Sequence, residues 1–239
     1  WHYHQVILAD GSQVELRRPE LELSQLGYGP LHPKTLFSLR VAPPMIGLGL
    51  LEAISATDVL ANADPLDSNQ DGISGKANQV WDISLRQTSL GRFGWKAGQL
   101  GLNQQNAAAF AGDLGLTTNL IPADDCSPIQ QACRNQPDGG TPEVSDEILA
   151  NVLFYSRNLA VPVRRDVDNP KVLQGKALFH QAGCAGCHVP TFTTSANAAE
   201  AELSQQTIRP YSDLLLHDMG DGLADQRPEF LASGREWRT

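Results

Sequence analysis

The sequence predicts a mainly α protein with long loops and one small β-hairpin at its N-terminus. The clearest helix covers residues 143–160, where apolar residues recur at helical spacing. An Asp10-Gly11 dipeptide near the start of the chain is a strong signal for a hairpin turn. The 21 glycines and 15 prolines among 239 residues predict many loops, and a hydrophobic content of 41% is enough for a real core. The length suits one large domain or two small ones.

The N-terminal hairpin is predicted over residues 1–16. A two-residue loop at Asp10-Gly11 would form a type I′ turn, whose twist matches that of the strands it joins. In this register Ile7 lies opposite Val14, so that the apolar side chains fall on one face of the ribbon.

Helices are predicted where apolar residues follow the helical period between breaks made by proline and glycine. The helix over 143–160 is capped by Thr141 or Ser145 and ended by Pro162. The other predicted helices lie near 34–40, 48–62, 103–114, 169–180 and 210–216.

The strongest functional motif is the segment Cys184-Ala185-Gly186-Cys187-His188. C-x-x-C-H is the attachment site of c-type haem. The thiols of Cys184 and Cys187 add to the two vinyl groups of the porphyrin, and His188 offers its imidazole to the iron as proximal ligand. The sequence therefore predicts covalent haem c held by these three side chains.

Two other interpretations of the motif stay open, a structural zinc site and a thioredoxin-like dithiol. A zinc site would need two more ligands, and Cys126 and Cys133 are too far apart for the usual close spacing of zinc ligands. A thioredoxin-like motif sits near a βαβ pattern, and no such pattern is visible in this sequence. Both alternatives are weaker than haem attachment.

The far side of the iron needs a sixth ligand unless it keeps an open position for chemistry. Met219 is the favoured candidate because it lies in a glycine-flanked turn and because thioether ligation favours electron transfer. His217 is the alternative ligand, and a role for Met219 as a core gap-filler is also open. Glu52 lies within an apolar stretch and near an iron site could move protons to and from peroxide, although a place on a helix surface is the commoner explanation.

A loop rich in Asp, Asn and Gly follows the first half of a calcium-binding loop. Its ligands would be side-chain oxygens and one backbone carbonyl, from Asp67, Asn69, Asp71, Ile73 and Asn78. Asn78 stands where a bidentate glutamate would complete the site, so Asp64 or Asp82 would have to contribute. The alternative is a solvated turn that binds no metal.

The compartment follows from the cysteines. Cys126 and Cys133 are predicted to close a small loop as a disulfide, which needs an oxidising compartment; two free cysteines are the alternative. Haem attachment of this kind also takes place outside the bacterial cytoplasm, so the protein is predicted to be periplasmic or secreted. A net charge of −9 without a basic cluster argues against nucleic acid as a partner. The longest apolar stretch, residues 45–51, is too short to span a bilayer.

Eight segments in combination carry a family resemblance over nearly the whole chain. They are residues 44–54, 71–78, 92–97, 108–113, 154–162, 183–192, 214–225 and 234–239. With these segments the sequence resembles the bacterial di-haem oxidoreductases, which are also labelled peroxidases or thiol oxidoreductases. That family is distantly similar to the di-haem cytochrome c peroxidases.

The resemblance implies a cytochrome c-like haem domain in which His188 is the proximal ligand and Met219 the favoured distal one. The haem region is expected over 166–239, after an N-terminal segment over 1–165 that holds the hairpin, the ion loop and helices. The family usually has two C-x-x-C-H motifs and this chain has one, so a second haem is expected outside these residues. The haem region is likewise expected to continue past Thr239.

The predicted function is electron transfer through haem c in a periplasmic di-haem oxidoreductase that reduces hydrogen peroxide. A small redox protein would be the electron donor or acceptor, and the second haem would exchange electrons with the first. Three alternatives remain: electron transfer without substrate chemistry, a metal-stabilised binding module, and a thiol oxidoreductase that uses Cys184 and Cys187 as free thiols. Whether the chain is itself an enzyme stays open.

Overall fold

The computed structural model describes residues 1–239, the whole sequence. Its six α-helices are α1 Leu48–Glu52, α2 Ala56–Leu60, α3 Leu102–Leu114, α4 Gln131–Arg134, α5 Asp146–Asn158 and α6 Pro170–Gln181. Its eight strands form four two-stranded antiparallel ribbons, β1 His2–Ile7 with β2 Gln13–Arg18, β3 Gln79–Asp82 with β4 Gln87–Leu90, β5 Phe192–Thr193 with β6 Thr207–Ile208, and β7 Leu216–Asp218 with β8 Glu236–Arg238.

The prediction of a mainly α protein is wrong, because helices take up only 26% of the chain and strands 15%. Two of the predicted helices, near 34–40 and 210–216, do not form. In the second of these segments the side chains of Ser212 and Asp213 accept hydrogen bonds from backbone N–H groups two residues ahead. Such local bonds give the backbone an alternative to the helix that apolar periodicity alone does not reveal.

The other four predicted helical segments are helical close to their predicted positions. Both α3 and α6 lie within one residue of their predicted bounds. α5 begins later than predicted because Ser145 is its N-cap and accepts a hydrogen bond from the backbone N–H of Ile148. The predicted helix over 48–62 is divided in two because Ser55 leaves helical geometry and caps α2 through the N–H of Asp58. No helix is long and apolar enough to cross a membrane.

The N-terminal hairpin is confirmed, but its register differs by one residue from the prediction. Val6, and not Ile7, lies opposite Val14. The reason is a longer loop over residues 9–11, in which Gly11 adopts a left-handed φ of +83°. No residue before Gly47 is buried, so the hairpin and the segment after it add no fully buried side chain to the core, although Ser38 and Arg40 hydrogen-bond to Asp225.

The largest apolar cluster joins distant parts of the chain. Its buried members come from the α1–α2 region, from β5 and from the segment before β7: Ile54, Val59, Phe192, Leu214 and Leu215. The backbone N–H of Ser195 donates to the carbonyl of Ala53, and Lys76 pairs with Leu216 in an isolated β-bridge. Residues on both sides of the predicted boundary after residue 165 therefore share one core.

A buried charge cluster, here called the Lys96 cluster, fastens the C-terminal segment to the middle of the chain. Lys96 is fully buried, and its ammonium donates to the carbonyls of Ser233 and Glu236 at 2.8 and 3.0 Å. The same nitrogen lies 3.1 Å from a carboxylate oxygen of Asp225 and 4.2 Å from the ring centre of Trp237. Every donor direction of this buried cation thus meets a carbonyl, a carboxylate or an aromatic face.

Asp225 is the anion of the Lys96 cluster. Its carboxylate accepts hydrogen bonds from the hydroxyl of Ser38 at 2.7 Å and from the guanidinium of Arg40 at 3.0 Å. Burial alone would raise the pKa of Asp225, but hydrogen bonds from Ser38, the Arg227 N–H, Arg40 and Lys96 outweigh burial and hold it far below its ordinary value. The carboxylate therefore stays ionised beside Lys96.

Cys126 and Cys133 form the predicted disulfide, with Cα atoms 5.9 Å apart. The bond closes the loop that carries α4. No residue between 119 and 143 is buried, so this part of the chain gains little order from the hydrophobic core. The covalent link supplies a restraint that packing does not.

Candidate functional site

The C-x-x-C-H motif lies on a tight turn at the end of α6. Gly183 has a left-handed φ of +77° and turns the chain out of the helix into the 3₁₀ turn Cys184–Gly186. The backbone N–H of His188 donates to the carbonyl of Cys184 at 2.9 Å, which closes the turn. Both cysteines are free thiols, Cys184 exposed and Cys187 half-buried. One turn therefore presents two thiols and an imidazole together.

His188 has one ring nitrogen engaged and one without a protein partner. Its Nδ1 lies 3.0 Å from the carbonyl oxygen of Tyr211, and because a carbonyl only accepts, Nδ1 carries the proton. Nε2 is left with its lone pair, which is the form that binds a metal. The ring of Phe179 flanks His188 at 6.2 Å and Tyr211 at 5.5 Å between ring centres, and so restricts the imidazole on one side.

The surroundings of the turn suit a large apolar cofactor. α6 has no buried residue, although it carries Val172, Leu173 and Leu178, which are 40%, 50% and 54% exposed. Exposed apolar side chains on the helix that leads into the turn leave apolar surface for a porphyrin ring, and the two thiols and the free imidazole nitrogen are the donors that c-type haem uses. The residues present therefore fit a c-type haem.

The alternatives to haem find little support in the environment of the thiols. Burial raises the pKa of the Cys187 thiol, and the negative charges of Asp213 and Asp71 raise it further. Thiol redox catalysis and zinc binding both use the thiolate, which a raised pKa disfavours. No group of three or more His, Cys, Asp or Glu side chains has an arrangement that could hold a metal ion.

The predicted ion loop packs directly on the C-x-x-C-H turn. A Cβ placed on Gly186 would lie 2.4 Å from Cδ1 of Ile73, so the Ile73 side chain occupies the space beside this glycine. Asp71 is close enough to raise the pKa of Cys187. The structure thus brings two sequence-predicted motifs together, although they are far apart along the chain.

The acidic side chains of the ion loop are engaged with the loop's own backbone. Both carboxylate oxygens of Asp67 accept from the N–H of Gly72, at 3.1 and 3.2 Å. Asn69 accepts from the N–H of Asp71, and Asp71 accepts from the N–H of Ile73. These bonds help to hold the loop in its turn, and calcium binding here stays a prediction.

Asn78 has a structural role in the core. It is fully buried, and its amide nitrogen donates to the carbonyls of Lys96 and Glu229 at 2.7 and 3.1 Å. Its amide oxygen accepts from the N–H of Leu231 at 2.9 Å. The predicted twelfth position of the calcium loop therefore ties the central chain to the C-terminal segment.

The two candidates for the sixth iron ligand differ in their environments. Met219 is 50% exposed and follows β7, where its backbone N–H donates to the carbonyl of Arg235. His217 is buried, and its Nε2 lies 2.8 Å from a carboxylate oxygen of Asp213. His217 has its Nε2 engaged with Asp213, whereas Nε2 of His188 is free. This difference favours Met219 over His217 as the sixth iron ligand, and ligation by Met219 stays a prediction.

Glu52 links three helices. One carboxylate oxygen accepts from the N–H of Leu102 at the start of α3, at 2.8 Å, and the other from Nε of Arg157 on α5, at 2.7 Å. Glu52 also lines a cavity of about 360 Å³ together with Arg92, whose pKa burial lowers. Glu52 therefore does not lie on an open helix surface. Its role in proton transfer stays a prediction.

The functional group that the sequence did not reveal is the carbonyl of Tyr211. It holds His188 through the backbone, so the identity of the side chain carries no signal for it. Asp213, which follows two residues later, is almost fully buried and engages His217. Only a prediction of which loops approach the C-x-x-C-H turn would have found either residue.

Comparison with known proteins agrees with the resemblance noted from the motifs. The family model described as "Di-haem oxidoreductase, putative peroxidase" matches residues 1–239, the whole chain. Neither the curated proteins nor the solved structures gave a match. The family description implies a haem cofactor and a redox reaction, which agrees with the donor set at the C-x-x-C-H turn. The protein belongs to the di-haem oxidoreductase family.

Proposed function

We propose that this chain binds one covalent haem c and transfers electrons through it within a periplasmic di-haem oxidoreductase that reduces hydrogen peroxide. One observation carries the proposal: a single turn presents the free thiols of Cys184 and Cys187 beside a His188 whose Nε2 has no protein partner. The thiols would tether the porphyrin, and His188 would be the proximal ligand. Met219 is the proposed distal ligand.

The residues around the turn orient this donor set before any cofactor arrives. The Tyr211 carbonyl fixes the tautomer of His188, and the Phe179 ring limits its rotation. The Ile73 side chain supports the turn at Gly186, where no larger residue fits without movement. When bound, haem iron supplies one-electron redox chemistry, and the protein supplies position and electrostatics.

The second haem, with the iron that reacts with peroxide, is assigned to residues outside this chain. The family description names two haems, and the sequence carries one C-x-x-C-H motif. The proposed electron path therefore runs from a small redox protein to the haem at His188 and on to the second haem. Hydrogen peroxide is the proposed terminal oxidant.

Two features support the periplasm as the compartment. The Cys126–Cys133 disulfide requires oxidising conditions to form and persist. Covalent haem attachment takes place outside the bacterial cytoplasm, as the C-x-x-C-H motif already led us to expect. An assay of fractionated cells that detected the protein only in the cytoplasm would contradict this part of the proposal.

The test is a reduced pyridine-haemochrome spectrum of the protein made in a host with periplasmic haem-attachment machinery and then extracted with acid acetone. We expect a c-type spectrum that stays with the protein. The double variant Cys184→Ser/Cys187→Ser should lose it, whereas Cys126→Ser/Cys133→Ser is the matched control and should keep it. A wild-type protein without covalent haem would overturn the proposal.

Electron transfer without peroxide chemistry is a second candidate, which one observation favours. Glu52, the acid expected to move protons, already accepts hydrogen bonds from Leu102 and Arg157 through its two oxygens. Peroxide consumption by the haem-loaded di-haem protein, followed with a reduced donor, distinguishes the candidates. Oxidation of the donor by peroxide supports the peroxidase, and no oxidation supports electron transfer alone.

A further inference from the structure

The segment that holds His188 has an unusual backbone. Tyr211, whose carbonyl accepts the hydrogen bond from His188, has a φ of +52°, and Leu214 has a φ of +62°. Neither residue is glycine, and left-handed geometry is unfavourable for large side chains. Such geometry persists only where surrounding contacts impose it.

Asp213 lies between these two residues and provides such contacts. It is 1% exposed, and one of its carboxylate oxygens accepts from the N–H of Leu215 at 2.9 Å and from the hydroxyl of Thr239. The other oxygen lies 2.8 Å from Nε2 of His217. Three donors, two from the segment directly after Asp213 and one from Thr239, therefore converge on one buried carboxylate.

Ser212 connects Asp213 to the C-x-x-C-H turn. Its N–H donates to the carbonyl of Val189 at 3.1 Å, directly after His188. Its hydroxyl donates to the carbonyl of Thr239 at 2.8 Å and accepts from the N–H of Leu214 at 3.1 Å. The peptide group between Tyr211 and Ser212 is thus held by Val189 of the turn, and the Ser212 side chain holds it to the segment that contains Asp213.

We propose that Asp213 is a positioning residue for the iron ligand His188. Through Ser212 and Tyr211 it fixes the carbonyl that keeps the proton on Nδ1 and leaves Nε2 free. The part of this inference that makes His188 an iron ligand rests on the proposed function. The tautomer of His188 is a property of the protein alone. A hydrogen bond donated by Nδ1–H to an acceptor makes an imidazole a stronger electron donor to a metal, so Asp213 also lowers the reduction potential of the bound haem.

The carboxylate is required because all of its partners are donors. An amide in its place would present its own N–H₂ group to at least one of the donors from Leu215, Thr239 and His217. Asp213→Asn should therefore loosen the 211–214 backbone while it preserves side-chain volume. Asp82 offers a matched control, because it is buried and accepts from the N–H groups of Ser84 and Leu85 at 2.9 Å, but makes no contact with this segment.

The first measurement uses the protein without haem, labelled with ¹⁵N-histidine, under conditions where the imidazoles are neutral. In the wild type and in Asp82→Asn, His188 should show the Nδ1–H tautomer alone. In Asp213→Asn a mixture with the Nε2–H tautomer should appear. An unchanged tautomer in Asp213→Asn, or an equal change in Asp82→Asn, would overturn the proposal.

The second measurement is the midpoint potential of the haem-loaded protein by spectroelectrochemistry. Asp213→Asn should raise the potential, and Thr239→Val, which removes one donor to the same carboxylate, should raise it less. If Asp213→Asn does not fold, Thr239→Val decides, and an unchanged potential and tautomer in that variant refute the role of Asp213. A wild type that binds no haem would defeat the proposed function but leave the tautomer measurement valid.

Discussion

The C-x-x-C-H turn and the Lys96 cluster differ in whether their polar groups are paired within the protein. At the turn the thiol of Cys184 is exposed and Nε2 of His188 has no protein partner, so bonding capacity is left free. In the Lys96 cluster the ammonium is fully buried, and carbonyls, the Asp225 carboxylate and an aromatic ring surround it. A functional site keeps unpaired groups within reach, whereas a structural cluster pairs every group that it buries.

The two histidines near the candidate iron site show the same difference on a smaller scale. Tyr211 engages Nδ1 of His188 and leaves Nε2 open, while Asp213 engages Nε2 of His217. The residue type is the same, and the fold decides which nitrogen is available. Variants that break the structural cluster should therefore affect stability, and variants at the turn should affect the cofactor.

The largest expected effect on stability comes from Lys96→Met. Removal of the buried cation leaves Arg40 as the only cation beside the Asp225 carboxylate and takes a donor from the carbonyls of Ser233 and Glu236. Breaking a buried pair costs about 3–5 kcal/mol. Urea unfolding should show this loss, while the haem content of the protein that remains folded should not change. Lys76→Met is the control, since Lys76 pairs with Glu236 while its side chain stays 33% exposed, and such exposed pairs contribute about 0–1 kcal/mol. Equal losses in the two variants would contradict the view of the Lys96 cluster as a structural lock.

The same contrast explains which features were predictable from sequence. The C-x-x-C-H motif and α6 depend on signals within a few residues, such as the Asn169 cap and the spacing of the cysteines. Lys96 and Tyr211 depend on partners from distant parts of the chain, so nothing local marks them. The segment 210–216 has helical periodicity, yet bonds from its own side chains give it a different backbone.

Two glycines sharpen the comparison between a rigid region and the turn. A Cβ on Gly49 would lie 2.2 Å from the backbone oxygen of Arg157, which cannot move without displacing α5. Gly49→Ala should therefore lower the free energy of unfolding by about 1–3 kcal/mol. A Cβ on Gly186 would meet only the end of the flexible Ile73 side chain, at 2.4 Å, so Gly186→Ala should cost about 0.5 kcal/mol and keep the haem. The reverse order in thermal unfolding would mean that the turn, and not the α1–α5 contact, is the rigid part.

The Lys96 cluster should also make stability depend on pH. The folded pKa of Asp225 lies below its unfolded value of about 3.9, so the carboxylate stabilises the fold above that pH. This contribution is lost as the pH falls below about 4, because the proton then binds the unfolded chain more readily than the folded one. Melting temperatures measured from neutral pH downward should fall less steeply in Asp225→Asn than in the wild type. Parallel curves would show that Asp225 is not held ionised by Lys96 and Arg40.

A smaller loss than in Lys96→Met or Gly49→Ala is expected at Glu52, which tests where the boundary between structure and function lies. Glu52→Gln keeps an oxygen for the Leu102 N–H but loses the charge that faces Arg157, at a cost of about 0.5–1 kcal/mol. Glu143→Gln is the control, because Glu143 also accepts from backbone N–H groups, those of Thr117 and Gly139. If Glu52 only links helices, both variants lose a little stability and the haem-loaded di-haem protein keeps its peroxide turnover. A fall in turnover confined to Glu52→Gln would instead place this carboxylate with the groups that, like Nε2 of His188, are proposed to serve the reaction.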